Sequence, residues 1–269
     1  MTKEQQRQAG FAPVTGTQLA YEVCGQGSPL VLIHGGLLDR RMWDEQVPAF
    51  AASFQVIRYD VRGYGQSLMP KVSYSDAQDL SELLSFLGIQ KATLLGLSLG
   101  SALALDFTLQ YTDMVETLLL AAPSISGYIV ATAEMKQRWQ ALSSAVAAHD
   151  RARLFDLWAN DPMMPQAQEY PAAQQRYREL LSEYSFVHYF SPGLQQPLVP
   201  GAAERLAEVQ VPTLIIVGDR DTEEVSTVAE LLAAGIATSR KVVVPGVRHM
   251  LNMEQPEEFN CSVLEFLRK

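Results

Sequence analysis

Three residues of complementary chemistry stand far apart in this chain: Ser98, Asp221 and His249. A serine hydroxyl is a weak nucleophile until a base takes its proton. An imidazole serves as that base when a carboxylate fixes its tautomer. Ser98 lies in Gly96-Leu97-Ser98-Leu99-Gly100, with a short apolar run over 92–95 before it and an Ala/Leu-rich helical stretch after it. This is the G-x-S-x-G turn in its required setting, and the order serine, acid, histidine is the one that accompanies it. The chemistry predicted is acyl transfer. Ser98 attacks an acyl carbonyl, His249 takes the proton and returns it to the leaving group, and Asp221 orients the imidazole. Gly96 and Gly100 are expected where strand and helix approach too closely for a Cβ. The N–H of Leu99, at the start of the helix, can donate to a developing oxyanion.

The five-residue pattern alone is weak, because a capping serine between two turn glycines gives the same letters. Its context carries the argument. Asp221 follows an apolar strand over 211–217, and His249 follows a last strand over 241–244. Asp219, Glu223 and Glu224 compete for the acid role; the spacing from Gly218 favours Asp221 and makes Asp219 a turn residue. Ligands and catalytic groups gather at the carboxyl ends of parallel strands, and all three residues stand at such ends.

The elements that must position them can be read in order. Residues 11–23 alternate around Thr15-Gly16-Thr17, a hairpin. Apolar strands follow at 29–33, 55–59, 92–95 and 115–121. Between them Asp39 could cap a helix reaching Ala52, and Ser75 caps one that buries Leu80, Leu83, Leu84 and Leu87 and stops at Gly88. Strands apolar throughout, alternating with helices, predict a mostly parallel sheet covered on both faces. Residues 124–203 contain no convincing strand; helical periodicity runs over 130–148, 150–159 and 171–186. The α/β pattern then resumes, with a helix over 225–234 and a closing helix from Pro256 to about Leu267. The division predicted is a core of 11–123 and 204–269, an inserted helical cap of 124–203, and a polar tail of 1–10.

Composition sets the limits. The 269 residues carry a net charge of −9 with no basic run, so nucleic acid is not an expected partner. The N-terminus has no apolar core of signal-peptide length, and no run reaches membrane-spanning length, so no membrane partner is expected. Cys24 and Cys261 read as free thiols of a cytoplasmic protein. His34, His149, His188 and His249 are scattered without metal-ligand spacing, so neither metal nor cofactor is expected. A monomer or a homodimer fits the size.

These motifs together resemble the α/β-hydrolase superfamily, in its compact esterase, lactonase and haloperoxidase-like branch with a helical cap. The matching residues are His34-Gly35-Gly36, Asp60 with Arg62-Gly63-Tyr64-Gly65-Gln66-Ser67, the turn at 96–100, Gly218 with Asp221, Pro245-Gly246 with His249-Met250-Leu251, and the stretch Gln255-Pro256-Glu257-Glu258-Phe259. The resemblance implies an α/β-hydrolase fold: an eight-stranded, mostly parallel sheet flanked by helices, with one antiparallel strand near the start. It implies an oxyanion hole made by the N–H of Leu99 and one from the loop after the first parallel strand, Gly36 first and Leu37 second. It makes His34 a loop-shaping residue. Ser101 and Arg248 depart from the glycines common in relatives; Arg248 would bear on the imidazole only if it pointed inward. The substrate implied is a small, mainly hydrophobic ester or lactone, with walls from Leu37, Leu38, Trp139, Trp158 and Met250. A lactonase of the enol-lactone type and a carbon–carbon bond hydrolase use the same triad. A slow-turnover ligand-binding sensor is the alternative of a different class.

Overall fold

The computed structural model describes residues 7–69, 72–191 and 194–268. Eight strands form one sheet: β1 (Arg7–Val14), β2 (Thr17–Cys24), β3 (Ser28–Ile33), β4 (Phe54–Tyr59), β5 (Ala92–Leu97), β6 (Val115–Ala121), β7 (Thr213–Gly218) and β8 (Ser239–Val244). Their spatial order is β1-β2-β4-β3-β5-β6-β7-β8. β2 runs antiparallel to both β1 and β4, and every other pairing is parallel. This is the α/β-hydrolase architecture expected, with its single reversed strand.

The strands form where the apolar runs lie because both sheet faces are covered. In β5 every residue is buried, and so is every residue of β7. The helices are α1 (Val47–Phe50), α2 (Asp76–Phe86), α3 (Leu99–Gln110), α4 (Ala133–Ala147), α5 (Arg151–Ala159), α6 (Pro171–Glu183), α7 (Val187–Phe190), α8 (Glu223–Gly235), α9 (Leu251–Glu254) and α10 (Pro256–Leu267). α2 starts where Ser75 Oγ accepts from the Gln78 N–H, and it buries Leu80, Leu83 and Leu84 completely. Each of those leucines is worth about 1.5–3 kcal/mol against an exposed side chain. α3 is apolar nearly all round, as a helix packed on β5, β6 and α2 must be.

Two expectations need correction. The stretch 1–10 was expected to be a polar tail, yet β1 begins at Arg7 and pairs with Cys24. An edge strand needs only backbone hydrogen bonds, and Arg7 gains an ion pair with the buried Glu22. The single helix expected from Asp39 to Ala52 is a 3-10 turn at Arg40–Trp43, capped by Asp39, followed by the short α1.

The segment between β6 and β7 is helical, as α4 to α7. It packs on the loops at the carboxyl ends of the strands. His188 stacks on Tyr64 with ring centroids 4.2 Å apart and donates from Nε2 to the Arg62 carbonyl at 3.0 Å. Tyr184 stacks on the same Tyr64 at 5.0 Å.

The loop that receives them is anchored by a buried ion pair. Arg62 donates from Nε and Nη2 to the two oxygens of Asp79 at 2.7 and 2.6 Å, on the face of α2. Removing one partner of such a pair strands the other charge. Asp79→Ala is expected to cost about 3–5 kcal/mol, read as a lower urea midpoint. A loss below about 1 kcal/mol would show that Arg62 finds solvent, and would remove this pair from the account of the fold.

Candidate active site

Ser98 stands between β5 and α3 with φ +55, a conformation that non-glycine residues rarely adopt. The turn is enforced by contact. A Cβ on Gly96 would lie 2.1 Å from the Gly100 carbonyl oxygen, and one on Gly100 would lie 2.2 Å from the Ile33 oxygen. As the N-cap of α3, Ser98 makes no side-chain capping bond, so its hydroxyl is free for another partner. Its N–H donates to the Ala121 carbonyl at 2.9 Å and ties the turn to β6.

That partner is His249. Its Nε2 lies 2.9 Å from Ser98 Oγ, and its Nδ1 lies 3.0 and 3.3 Å from the two oxygens of Asp221. With Asp221 accepting from the Nδ1 hydrogen, Nε2 presents a lone pair to the serine hydroxyl. Asp221 also accepts from the Thr222 N–H at 2.8 Å. The side chains of His249 and Asp221 are 5% and 0% exposed, while Ser98 is only half-buried. The arrangement can generate a nucleophile at Ser98 and keep the base shielded. Asp219, the nearest competitor, is a loop anchor that accepts from the Gly246 N–H at 2.7 Å. Glu224 is hydrogen-bonded to Thr132 Oγ1.

The loop after β3 lies against the turn. A Cβ on Gly35 would stand 3.7 Å from Ser98 Cβ, and one on Gly36 would stand 3.8 Å from Leu99 Cβ. The Gly35 N–H is spent on Met42 Sδ at 3.1 Å. Gly36 and Leu37 are the next donors along, and Leu37 has φ +71, so the backbone is wound tightly beside Leu99. His34 shapes this loop: Nδ1 donates to Gly35 O at 2.7 Å and Nε2 accepts from the Val61 N–H at 2.9 Å. Asp60 accepts from the Arg40 and Gln66 N–H groups, each at 2.9 Å, and Ser67 donates to the Asp60 carbonyl at 2.7 Å.

Of the expected wall residues, Leu37, Leu38 and Met250 are buried near the site. Leu37 and Leu38 border a crevice of about 170 Å3 with Tyr184 of the insertion. Trp139 does not form a wall: it is 55% exposed, because α4 packs chiefly on α5 and buries only Leu142 and Ala145. Trp158 gives its indole N–H to Tyr189 Oη at 2.9 Å, inside the insertion. Arg248 points away from the imidazole, toward the Pro162 carbonyl and Glu169.

Two features escaped the sequence. Ser101 donates to the Ser98 carbonyl at 2.6 Å, and Ser124 does so at 2.8 Å. A hydroxyl one turn after Ser98 was the available signal for the first; Ser124 had none. Glu254, at the end of α9, is 6% exposed and accepts from the Arg248 N–H at 2.6 Å, directly before His249. Its Oε1 has no hydrogen-bond partner. Burial pushes its carboxyl up to about 7, helped by the nearby Asp221 charge.

The model of the alpha/beta hydrolase family matches residues 30–260. A putative carbamate hydrolase of Azorhizobium caulinodans is 26% identical over 92% of the chain and 94% of its own length. Among solved structures, an enol-lactonase from Burkholderia xenovorans superposes with TM-score 0.80 at 25% identity, covering 97% of this chain and 100% of its own. A thermophilic esterase from Thermogutta terrifontis does so with TM-score 0.81 at 26% identity, covering 98% of each.

The raised carboxyl of Glu254 gives a pH test. Its value in the fold stands above the ordinary 4.5, so the folded chain holds the proton from about 4.5 to about 7. The stability contributed by this group therefore falls as pH rises through that window. Glu254→Gln cannot ionise. The stability of the variant minus that of the wild type is expected to rise with pH from about 4.5 to about 7 and then level off, measured by urea unfolding at each pH. A difference that does not change with pH would place Glu254 in an ordinary, solvated state.

Proposed function

The chain belongs to the alpha/beta hydrolase family and is an enzyme of its esterase and lactonase kind, and from that premise we propose a serine hydrolase that cleaves small, mainly hydrophobic carboxylic esters or lactones. The observation that supports this most is the unbroken chain of hydrogen bonds from Ser98 Oγ through His249 to Asp221. Ser98 attacks the acyl carbon as His249 Nε2 takes its proton. The tetrahedral oxyanion is received by the N–H of Leu99, at the start of α3, and by that of Gly36 or Leu37. His249 then protonates the leaving alkoxide, and water enters by the same steps in reverse to release the acid. Asp221 keeps the imidazole in the useful tautomer and stabilises the imidazolium. No cofactor enters this sequence.

The helical insertion serves as a cap over the carboxyl ends of the strands. Its backbone reaches the base itself, since the His249 N–H donates to the Met163 carbonyl at 3.3 Å. The other partner proposed is the small substrate alone, with the chain a monomer or a homodimer. Among the described residues no helix is long and apolar enough to cross a membrane. Both cysteines are free, which favours a reducing compartment such as the cytoplasm.

The test is hydrolysis of a panel of p-nitrophenyl esters and lactones, with a fluorophosphonate label. Ser98→Ala is expected to lower kcat by about 10⁴–10⁶ and to abolish labelling. Wild-type turnover matched by the variant would overturn the assignment of Ser98. Labelling at Ser98 with no turnover on any ester or lactone would replace the hydrolase by a ligand-binding sensor.

A further inference from the structure

α9 follows His249 closely and turns back on it. Glu254, its last residue, accepts from the Arg248 N–H at 2.6 Å, so residues 248–254 close into a ring with His249 as its second member. The ring is fixed to the core. Asn252 donates from Nδ2 to the Met42 carbonyl at 3.0 Å, and its own carbonyl accepts from Gln46 Nε2 at 2.9 Å. The Met250 carbonyl receives the N–H groups of Met253 and Glu254 at 2.8 and 2.9 Å. A neutral acceptor would satisfy the Arg248 N–H without the cost of burying an acid. The hydrolysis described above leaves this carboxyl unused, although the residue is 6% exposed.

Charged groups face Glu254 from each element packed on it. Arg248 and His249 come from the loop after β8 and Asp221 from the loop after β7, and the carboxyl feels the charge of each. A groove on its outer side adds Arg41, Asp44, Glu45, Glu169, Tyr170 and Arg176. The cations are committed elsewhere. Arg41 binds Asp39 and Glu183, Arg176 binds Asp44, and Arg248 turns its guanidinium toward the Pro162 carbonyl and Glu169. Tyr170 spends its hydroxyl on the Gly246 carbonyl. Glu254 Oε1 is left with no hydrogen-bond partner. Burial, with the Asp221 charge, raises the carboxyl to about 7, into the range where an imidazole also titrates.

We propose that Glu254 is a positioning residue for the hydrolysis, one that fixes the His249 main chain through the Arg248 N–H and whose carboxylate charge stabilises the imidazolium formed on His249. The proposal rests on the reading of Ser98 as the nucleophile and His249 as its base. The proton taken from Ser98 creates a positive charge that Asp221 meets directly at Nδ1. An ionised Glu254 meets the same charge across the buried interior, where screening is weak. A protonated Glu254 keeps the bond to Arg248 and offers no charge. The acid and the base therefore titrate as a coupled pair, in which ionisation of Glu254 raises the proton affinity of the imidazole. Arg248 carries its charge throughout this range and does not alter the direction of the effect.

The test is the pH profile of kcat/KM for p-nitrophenyl acetate, from pH about 5 to about 8.5, in the wild type and in Glu254→Gln. Glutamine keeps an acceptor for the Arg248 N–H and never ionises. The ratio of wild-type to variant kcat/KM is expected to rise about three- to tenfold across that range, because only the wild type gains a second negative charge near the imidazolium. A lost packing contact alone lowers the variant by one factor at every pH, so a ratio that stays flat or falls would overturn the proposal. A second measurement leaves Glu254 in place. In Ser98→Ala the His249 ring nitrogens, followed by NMR, are expected to titrate in two steps, one their own and one that follows Glu254. A single step would overturn the proposal even where Glu254→Gln failed to fold. Hydrolysis that persists in Ser98→Ala would instead overturn the nucleophile, and the NMR titration in that same variant separates the two failures.

Discussion

The site depends on the close approach of α3 to the ends of β3 and β5. Gly96 and Gly100 allow backbone to lie against backbone where any Cβ would collide with a carbonyl oxygen at close to 2 Å. That approach leaves one conformation for the residue between them, and Ser98 occupies it at φ +55. A positive φ on a residue with a Cβ costs about 1–3 kcal/mol and persists only where its surroundings over-determine it. Here they do. The Ser98 carbonyl receives the Ala102 N–H and the hydroxyls of Ser101 and Ser124, and the Ser98 N–H is held by β6. With the main chain satisfied on both sides, the side chain has no local hydrogen bond to make, and its oxygen stands out toward the imidazole.

The base and the acid come from farther away. β7 and β8 lie two and three strands from β5, so their loops must lean back across β6. Gly218 permits this. A Cβ there would lie 2.3 Å from the Val247 carbonyl, so the Asp221 and His249 loops can cross in contact. Asp219 fastens them at the Gly246 N–H, and Glu254 holds the Arg248 N–H. The insertion adds Tyr170, whose hydroxyl donates to the Gly246 carbonyl at 2.8 Å. The imidazole is thus placed by groups from the core and the insertion together. Loss of packing in the insertion would reach the chemistry through His249 before it reached Ser98.

The fold was legible in the sequence because a sheet covered on both faces writes its strands as uninterrupted apolar runs. β3 to β7 were found within two residues for that reason, whereas β8, an edge strand that starts Ser-Arg-Lys, shows only its apolar second half. Ser98, Asp221 and His249 could be singled out because each follows such a run, and the distance from Gly218 pointed to Asp221, the carboxylate that the structure places against His249. The illegible parts are those that depend on backbone or on a surface with no period. β1 starts among polar residues because an edge strand is held by its ladder. The second oxyanion donor proposed, at Gly36 or Leu37, is a peptide N–H, which leaves no side-chain letter. Trp139 looked like a wall because aromatics crowd the insertion, but periodicity cannot say which helix faces the sheet and which faces a neighbouring helix. Glu254 reads as one acid in an acidic stretch; only its burial behind Arg248 distinguishes it.

The histidines show why partners, and not residue type, decide chemistry. His34 spends both ring nitrogens on backbone, at Gly35 O and the Val61 N–H. His188 gives Nε2 to Arg62 O and takes the Tyr184 hydroxyl at Nδ1 at 2.7 Å. Burial lowers both of their pKa values, that of His188 to about 4, so each stays neutral and acts as a rigid cross-link between loops. His149 is exposed and stacks on Phe190. His249 alone among them has a carboxyl on one nitrogen and an alcohol on the other. A proton taken from Ser98 creates an imidazolium whose charge faces Asp221 at 3.0 Å, whereas the same proton on His34 or His188 would break a bond to backbone or to tyrosine. The fold therefore ties the imidazoles of His34 and His188 to neighbouring loops and gives His249 a carboxylate that would stabilise its protonated form.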